Sequence, residues 1–311
     1  MGKQGTFLKL ILTFSITIVI VLIIFSKINL QSIIAVLSKA NLNFLILALF
    51  INFFGMFIKP IQWQSILKSM HYEIPFSKCF QIFFAANCLS SVTPSKSGDL
   101  IRSLYLKSEI PISETIGSIF TERLLDLLFL TTFTLIGLIV NPQSYFLWIA
   151  IILIILIISS VLFLNSSMLK RKVKDTFKKT KLKGNITKVV GKLTFSLSML
   201  LRDKKIFSRI LLYSFIFWFI SMIQIAFLFY AVGAAIPFLF LFTNIPIAIF
   251  ISLLPITISG IGTRDAAIIF LFSGYAEPSK LLSASILFLV YRYWIGALIG
   301  LPFMYKLNKK L

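Results

Sequence analysis

The sequence predicts an all-α, polytopic membrane protein, and three observations carry that prediction. Of 311 residues, 58% are hydrophobic and only 13% are charged, with a mean hydropathy of +0.97. Six apolar stretches, residues 7–26, 42–58, 116–140, 145–164, 210–232 and 283–303, each approach the ~20 residues that a helix needs to cross a bilayer. Two further apolar stretches are broken in the middle by proline, glycine, hydroxyl residues and charge. Paired interruptions of this kind mark a transport site in many membrane proteins.

The elements follow in order. Lys3 and Lys9 flank the first stretch, which lacks a small-residue cleavage site and reads as a retained anchor. Lys59, Lys68 and Lys78 follow the second and read as cytoplasmic; residues 60–70 read as an interfacial amphipathic piece with Trp63 at the membrane surface. The first interruption is Thr93-Pro94-Ser95-Lys96-Ser97-Gly98-Asp99-Leu100-Ile101-Arg102. The next long stretch carries Glu122-Arg123-Leu124-Leu125-Asp126 and ends at the uncharged turn Asn141-Pro142-Gln143-Ser144. After residues 145–164 comes a basic insertion, 165–209, with fourteen Lys/Arg against two acids between Lys170 and Arg209. Its 176–201 part has apolar residues at helical spacing, as in a helix lying on anionic lipid head groups. The second interruption is Pro255-Ile256-Thr257-Ile258-Ser259-Gly260-Ile261-Gly262-Thr263-Arg264-Asp265, and Lys306, Lys309 and Lys310 close the chain. Pro94, Pro237, Pro246, Pro255 and Pro302 are expected to shape or break helices, with Gly98, Gly260 and Gly262 as further break positions.

Placing every basic stretch on the cytoplasmic side fixes both termini there. Residues 79–106 must then enter and leave from the cytoplasm, and 238–272 from the outside. Each is a re-entrant hairpin or a pair of short spans, about eight transmembrane segments in conventional counting. Residues 7–140 and 145–303 thus form two units of like order and opposite orientation, an inverted-topology repeat within one membrane domain.

Several function classes are excluded or disfavoured. A net charge of +21 could attract nucleic acid, but no recognition module accompanies it and the charge sits in membrane-flanking loops. His71 is the single histidine and reads as an exposed loop residue, which excludes His-based triads and multi-His metal sites. Cys79 and Cys88 read as small buried residues, not metal ligands or a disulfide. No phosphate-binding Gly-x-x-x-x-Gly-Lys-Ser/Thr loop occurs. No cofactor, metal or catalytic constellation is expected, and the protein is not read as an enzyme.

The candidate chemistry lies with arginine. Of seven arginines, Arg102, Arg123, Arg264 and Arg292 stand in apolar surroundings, where a charge costs ~2.5–3.5 kcal/mol even on lenient scales. They can pair with Asp99, Glu122, Asp126 and Asp265, four against four, or they can bind an anion such as a lipid phosphate. Each interruption also reads as the start of a half-helix: Asp99 or Ser97 capping residues 100–107, and Thr263 capping 264–273, with Gly274 ending it. Such helix starts favour anions.

Pro94-x-Lys96-x-Gly98-Asp99-x-x-Arg102, Glu122-Arg123-x-x-Asp126, Gly260-x-Gly262-x-Arg264-Asp265 and the late Arg292, in that order, resemble the lysylphosphatidylglycerol synthase transmembrane-region family, also described as flippase-like domain proteins. The resemblance covers nearly the whole chain. It implies a bacterial or archaeal cytoplasmic-membrane protein linked to moving amino-acylated phospholipids, polyprenyl-linked sugars or hopanoids across the bilayer. Asp265 stands where members usually carry Glu, which shortens that carboxylate's reach. Bifunctional members add a soluble aminoacyl-transferase domain; a chain ending at Leu311 leaves no room for one, so synthase activity is not expected.

The expectation is therefore a translocase for an anionic or zwitterionic lipid. Arg102 and Arg264 would bind phosphate from the two hairpins, and Arg123 and Arg292 would complete the site. Asp99, Glu122, Asp126 and Asp265 would orient them or respond to protons. The alternatives are a membrane-embedded enzyme acting on a lipid phosphate, and a non-transporting partner of a lipid synthase or glycosyltransferase.

Overall fold

The computed structural model describes residues 3–94, 96–140, 203–253 and 256–309. The expected span 145–164, most of the basic insertion, Ser95 and the break residue Pro255 lie outside the described residues. Within them the chain is helical, and the β-structure is a single isolated bridge. The protein is a multi-pass membrane protein: three helices, Leu42–Ser69, Lys204–Ala231 and the composite Pro278–Asn308, are long and apolar enough to cross a bilayer.

Helix α1 (Lys3–Lys27) and α2 (Leu30–Ser38) form a pair bent by 81°. The bend follows from local chemistry. The Asn29 carboxamide accepts from the Gln31 N–H at 2.9 Å, starting a new helix two residues after the first ends. Ile24, Ile28 and Ile33 then pack on Leu282.

Helix α3 (Leu42–Ser69) starts on an Asn41 cap and runs unbroken through Pro60. This corrects two sequence expectations. Lys59 is not a loop cation but is buried, and residues 60–70 are not an interfacial piece but the second half of a spanning helix. Proline cannot supply its own N–H, yet an embedded helix tolerates it where neighbours satisfy the freed groups. Trp63, fully buried, donates to Ser118 Oγ at 3.0 Å, and Gln62 donates to Ser214 Oγ at 2.5 Å. These hydrogen bonds tie α3 to α6 (Ile112–Val140) and α7 (Lys204–Ala231). On the other side of α3, Phe50, Phe53, Phe54 and Phe57 are exposed, as suits a lipid-facing surface.

The turn after α3 carries His71, exposed and at φ 67°. Beside it the Tyr72 hydroxyl donates to Glu114 at 2.6 Å, which, with burial, pushes the phenol up to about 12.

Helix α4 (Phe76–Ser90) leads into the first interruption, and α5 (Arg102–Tyr105) leaves it after a 3₁₀ turn at Ser97–Ile101. The expected half-helix over 100–107 is thus only a short turn. Cys79 and Cys88 are buried and free, and Cys88 Sγ lies 3.0 Å from the Ala297 carbonyl.

Helix α7 begins at Lys204, earlier than the basic insertion was expected to end, because Asp203 caps it. The Asp203 carboxylate accepts from the N–H groups of Lys205 and Ile206 at 2.9 and 3.0 Å. An Asp203→Ala variant should lose about 1 kcal/mol of stability, read as a lowered thermal midpoint in detergent; an unchanged midpoint would remove the cap from the account.

Helix α8 (Phe238–Leu253), with Pro246 inside it, leads into the second interruption, and α9 (Thr263–Phe272) leaves it. Gly262, not Thr263, is the cap residue of α9; the Asp265 side chain turns back to accept from the Gly262 N–H at 2.8 Å. Helix α10 (Pro278–Leu289) continues through a π-helical turn at Val290–Trp294 into α11 (Ile295–Asn308), which tolerates Pro302. Gly296 and Gly300, four apart on α11, face α4 so closely that a Cβ on either would strike Asn87 or the Phe84 carbonyl. Small residues at that spacing let embedded helices approach.

The two interruptions meet. Pro94 and Ile258 pair as an antiparallel bridge, and the Ser259 hydroxyl donates to the carbonyls of Ser91 and Ser90 at 2.7 and 3.3 Å. Pro94 and Gly98 belong to the first of the two stretches that meet here, and Gly260 and Gly262 to the second.

Candidate functional site: a cavity beside a ring of charges

A cavity of about 520 Å³ lies between α3, α4, the first interruption, α6, α7, α8 and the π turn. One part of its lining is apolar, including Met56, Phe83, Phe84, Phe120, Leu127 and Leu130. The rest is polar, with the uncharged Asn52, Asn87, Ser97 and Ser252 beside the ionisable Lys59, Lys96, Asp99, Glu122, Arg123, Asp126 and Arg292.

Six charges, five of them buried and Arg123 partly exposed, close into an alternating ring. Lys59 Nζ bonds Asp126 and lies 3.6 Å from Glu122. Glu122 accepts from Arg102 at 2.8 Å, and Arg102 lies 3.3 Å from Asp99. Asp99 pairs with Arg123, whose other nitrogen is 3.7 Å from Asp126. Three cations alternate with three carboxylates, so the ring is formally neutral. Neighbours complete it: Trp218 donates to Asp126 at 3.0 Å, Lys59 to Gln62 at 3.0 Å, and Ser90 to Asp99.

The local sequence builds this ring. Glu122, Arg123 and Asp126 share the first half of α6, and the 3,4-spacing puts Glu122 and Asp126 on one face. The 3₁₀ turn after Lys96 sets Asp99 and Arg102 one turn apart. Lys59 arrives from α3 because that helix continues past it. The Arg102 guanidinium, fully buried, lies 5.0 Å from the Trp63 ring and 4.8 Å from Phe83, so its faces are covered by aromatic rings.

Arg264 is handled separately. It donates to Asp265 at 2.8 Å and to Ser285 Oγ at 3.3 Å, and lies 5.0 Å from the Phe288 ring. Ser285 also donates to Asp265 at 2.5 Å. The structure thus places Arg123 and Arg292 on the cavity lining, with Arg102 behind it and Arg264 and Asp265 in a closed pair outside it.

Two cavity cations stand apart. Among the described residues neither Lys96 nor Arg292 lies within ion-pair distance of a carboxylate. Lys96, in the left-handed region at φ 53°, sets its Nζ 4.7 Å from the Tyr293 ring. Arg292 lies 4.3 Å from the Phe217 ring and 5.8 Å from Trp218, and its NH1 lies 3.5 Å from Ser221 Oγ. The π turn explains how consecutive residues Arg292 and Tyr293 both reach the lining: its wider turn inserts a residue and rotates the helix face.

The order of these motifs over nearly the full chain agrees with comparison to known proteins. The sequence model described as the lysylphosphatidylglycerol synthase TM region matches residues 8–300. The chain belongs to this family. Within it, a UPF0104 membrane protein of Pyrococcus horikoshii is 23% identical over 97% of both chains. A UPF0104 membrane protein of Methanothermobacter thermautotrophicus is 22% identical over 83% of this chain and 81% of its own. In this family member, sequence reasoning missed Lys59 and Lys96 as site residues. Lys59 ends an apolar run beside a proline and looks like a loop residue. Lys96 was readable, because it lies inside a helix break with no acid before Asp99.

Proposed function

We propose that the chain is a lipid translocase that passes a phosphate-bearing head group through the ionic cavity while the tails remain against its apolar lining. The observation that carries this reading is a pair of cations on the cavity lining, Lys96 and Arg292, that have no carboxylate within ion-pair distance among the described residues. Arg123, 29% exposed at its side chain, is the ring member placed to join them. The ring would hold the cavity wall in register, and the family's name points to phospholipid chemistry. The frame of this reading is an inverted repeat in the cytoplasmic membrane with both termini inside and the two interruptions crossing at Pro94 and Ile258. The basic insertion would rest on anionic lipids, and a lipid synthase or glycosyltransferase is a natural partner.

Reconstitution tests it. Proteoliposomes carrying fluorescent phospholipids should lose outer-leaflet asymmetry faster than protein-free liposomes, and Arg292→Gln should slow that loss by about tenfold, as expected for removing a charge-assisted contact. Rates equal to protein-free liposomes across several anionic and zwitterionic lipids would reject translocation. Chemical conversion of a lipid phosphate in detergent, with no second leaflet present, would favour the enzyme instead.

A further inference from the structure

Among the described residues, the ring and the cavity lining together carry more cations than carboxylates. Lys59, Lys96, Arg102, Arg123 and Arg292 stand against Asp99, Glu122 and Asp126. The ring uses three of each sign, and Arg264 is closed by Asp265. What remains is Lys96 and Arg292, both on the lining of one cavity.

We propose that this cavity selects lipids whose head group carries two negative charges, a terminal phosphomonoester being the simplest, over singly charged phosphodiester, zwitterionic and aminoacylated heads. The inference rests on the translocase reading above. Its physical basis is the expense of an unpaired cation in an apolar interior. Aromatic faces at Tyr293, Phe217 and Trp218 relieve that expense in part, but they bring no opposite charge. A phosphomonoester carries about −1.5 to −2 at neutral pH and three acceptor oxygens. It therefore matches both cations at once, with the Arg292 fork taking two oxygens and the Lys96 ammonium acting as a point charge. A phosphodiester leaves one cation unmatched. An aminoacylated head adds a cation to a cavity already in positive excess. The Met56, Phe83, Phe84 and Leu127 side chains supply the apolar neighbour that a lipid, unlike a free anion, would use.

Phosphatidic acid and phosphatidylmethanol differ by one methyl group and one charge. Their binding to the full chain in detergent micelles at pH 7.5 can be compared by native mass spectrometry, with inorganic phosphate as a third probe. Phosphatidic acid is expected to bind about tenfold tighter than phosphatidylmethanol, and inorganic phosphate is expected not to displace it. Lys96→Gln and Arg292→Gln should each pull the preference toward unity, whereas Arg292→Lys should keep most of it. Equal wild-type affinity for the two lipids overturns the inference, and so does a preference that survives in the double Gln variant. The wild-type comparison decides even where a variant fails to fold. Displacement by inorganic phosphate at matched concentration would assign the site to a free anion and overturn the lipid part. Preference for phosphatidic acid without its scrambling would reject the translocase reading alone. Scrambling of both lipids at one rate with no binding preference would reject the charge selectivity alone.

Discussion

An Arg102→Met variant is expected to lower the thermal midpoint of the detergent-solubilised protein by about 10 °C, with a matching fall in monodisperse yield. Arg102 is fully buried and is the one ring member that joins Glu122 to Asp99. Methionine fills much of the same volume, so the loss is electrostatic rather than a cavity. The ring is left with Lys59 and Arg123 against three carboxylates, and Glu122 keeps a cation only at 3.6 Å. Breaking a buried ion pair from one side costs about 3–5 kcal/mol, a large share of the ~5–15 kcal/mol that stabilises a typical domain. Removing both partners is a different matter. Arg102→Met combined with Glu122→Gln restores neutrality and should recover much of the midpoint. Arg102→Lys keeps the charge but loses the planar fork that reaches two carboxylates, and should fall between. A midpoint for Arg102→Met within about 2 °C of wild type would show that the ring does not stabilise the fold.

The same residue shows how far the sequence could be read. Charges inside apolar runs are rare, so Arg102, Arg123, Arg264 and Arg292 were visible, and so were Asp99, Glu122, Asp126 and Asp265 as partners. What could not be read was the pairing. Four arginines against four acids left both full pairing and anion binding open, but Lys59 takes a place in the ring and Arg292 is left over. Lys59 was hidden because hydropathy falls at Lys59-Pro60, the pattern of a helix end. The helix continues there among partners on other helices, which Gln62, Trp63 and Lys59 bond. The π turn at Arg292 has no local sequence signature for the same reason, since it depends on what the helix packs against. The interruptions themselves were legible from proline and glycine. That they touch one another was not, because nothing local encodes the contact between residues 94 and 258.

That contact is the second place where a small change should have a large effect. Gly260 has φ +74°, and a Cβ there would run into Ser252 of the preceding helix. An alanine would have to adopt the left-handed conformation, at roughly 1–2 kcal/mol, and overlap packed atoms, at roughly 1–3 kcal/mol more. Gly260→Ala is therefore expected to destabilise by about 2–5 kcal/mol. Gly233 supplies the control. Its φ is +71°, but a Cβ there meets nothing nearer than the Lys280 ammonium at 4.0 Å, so Gly233→Ala should show the conformational part alone. Gly98→Ala shows the complementary part, because its Cβ would strike the Leu89–Ser90 backbone. Thermal midpoints of the three variants, with Ser259→Ala added to remove the hydroxyl bridge to Ser91, divide the crossing into its causes. If Gly260→Ala and Gly233→Ala melt together, packing against Ser252 contributes nothing and the crossing is looser than its geometry implies. If Gly98→Ala and Gly260→Ala both fall well below Gly233→Ala, each interruption is held by close backbone approach to the helix that precedes it. The glycines are then required because no side chain fits between each interruption and that helix.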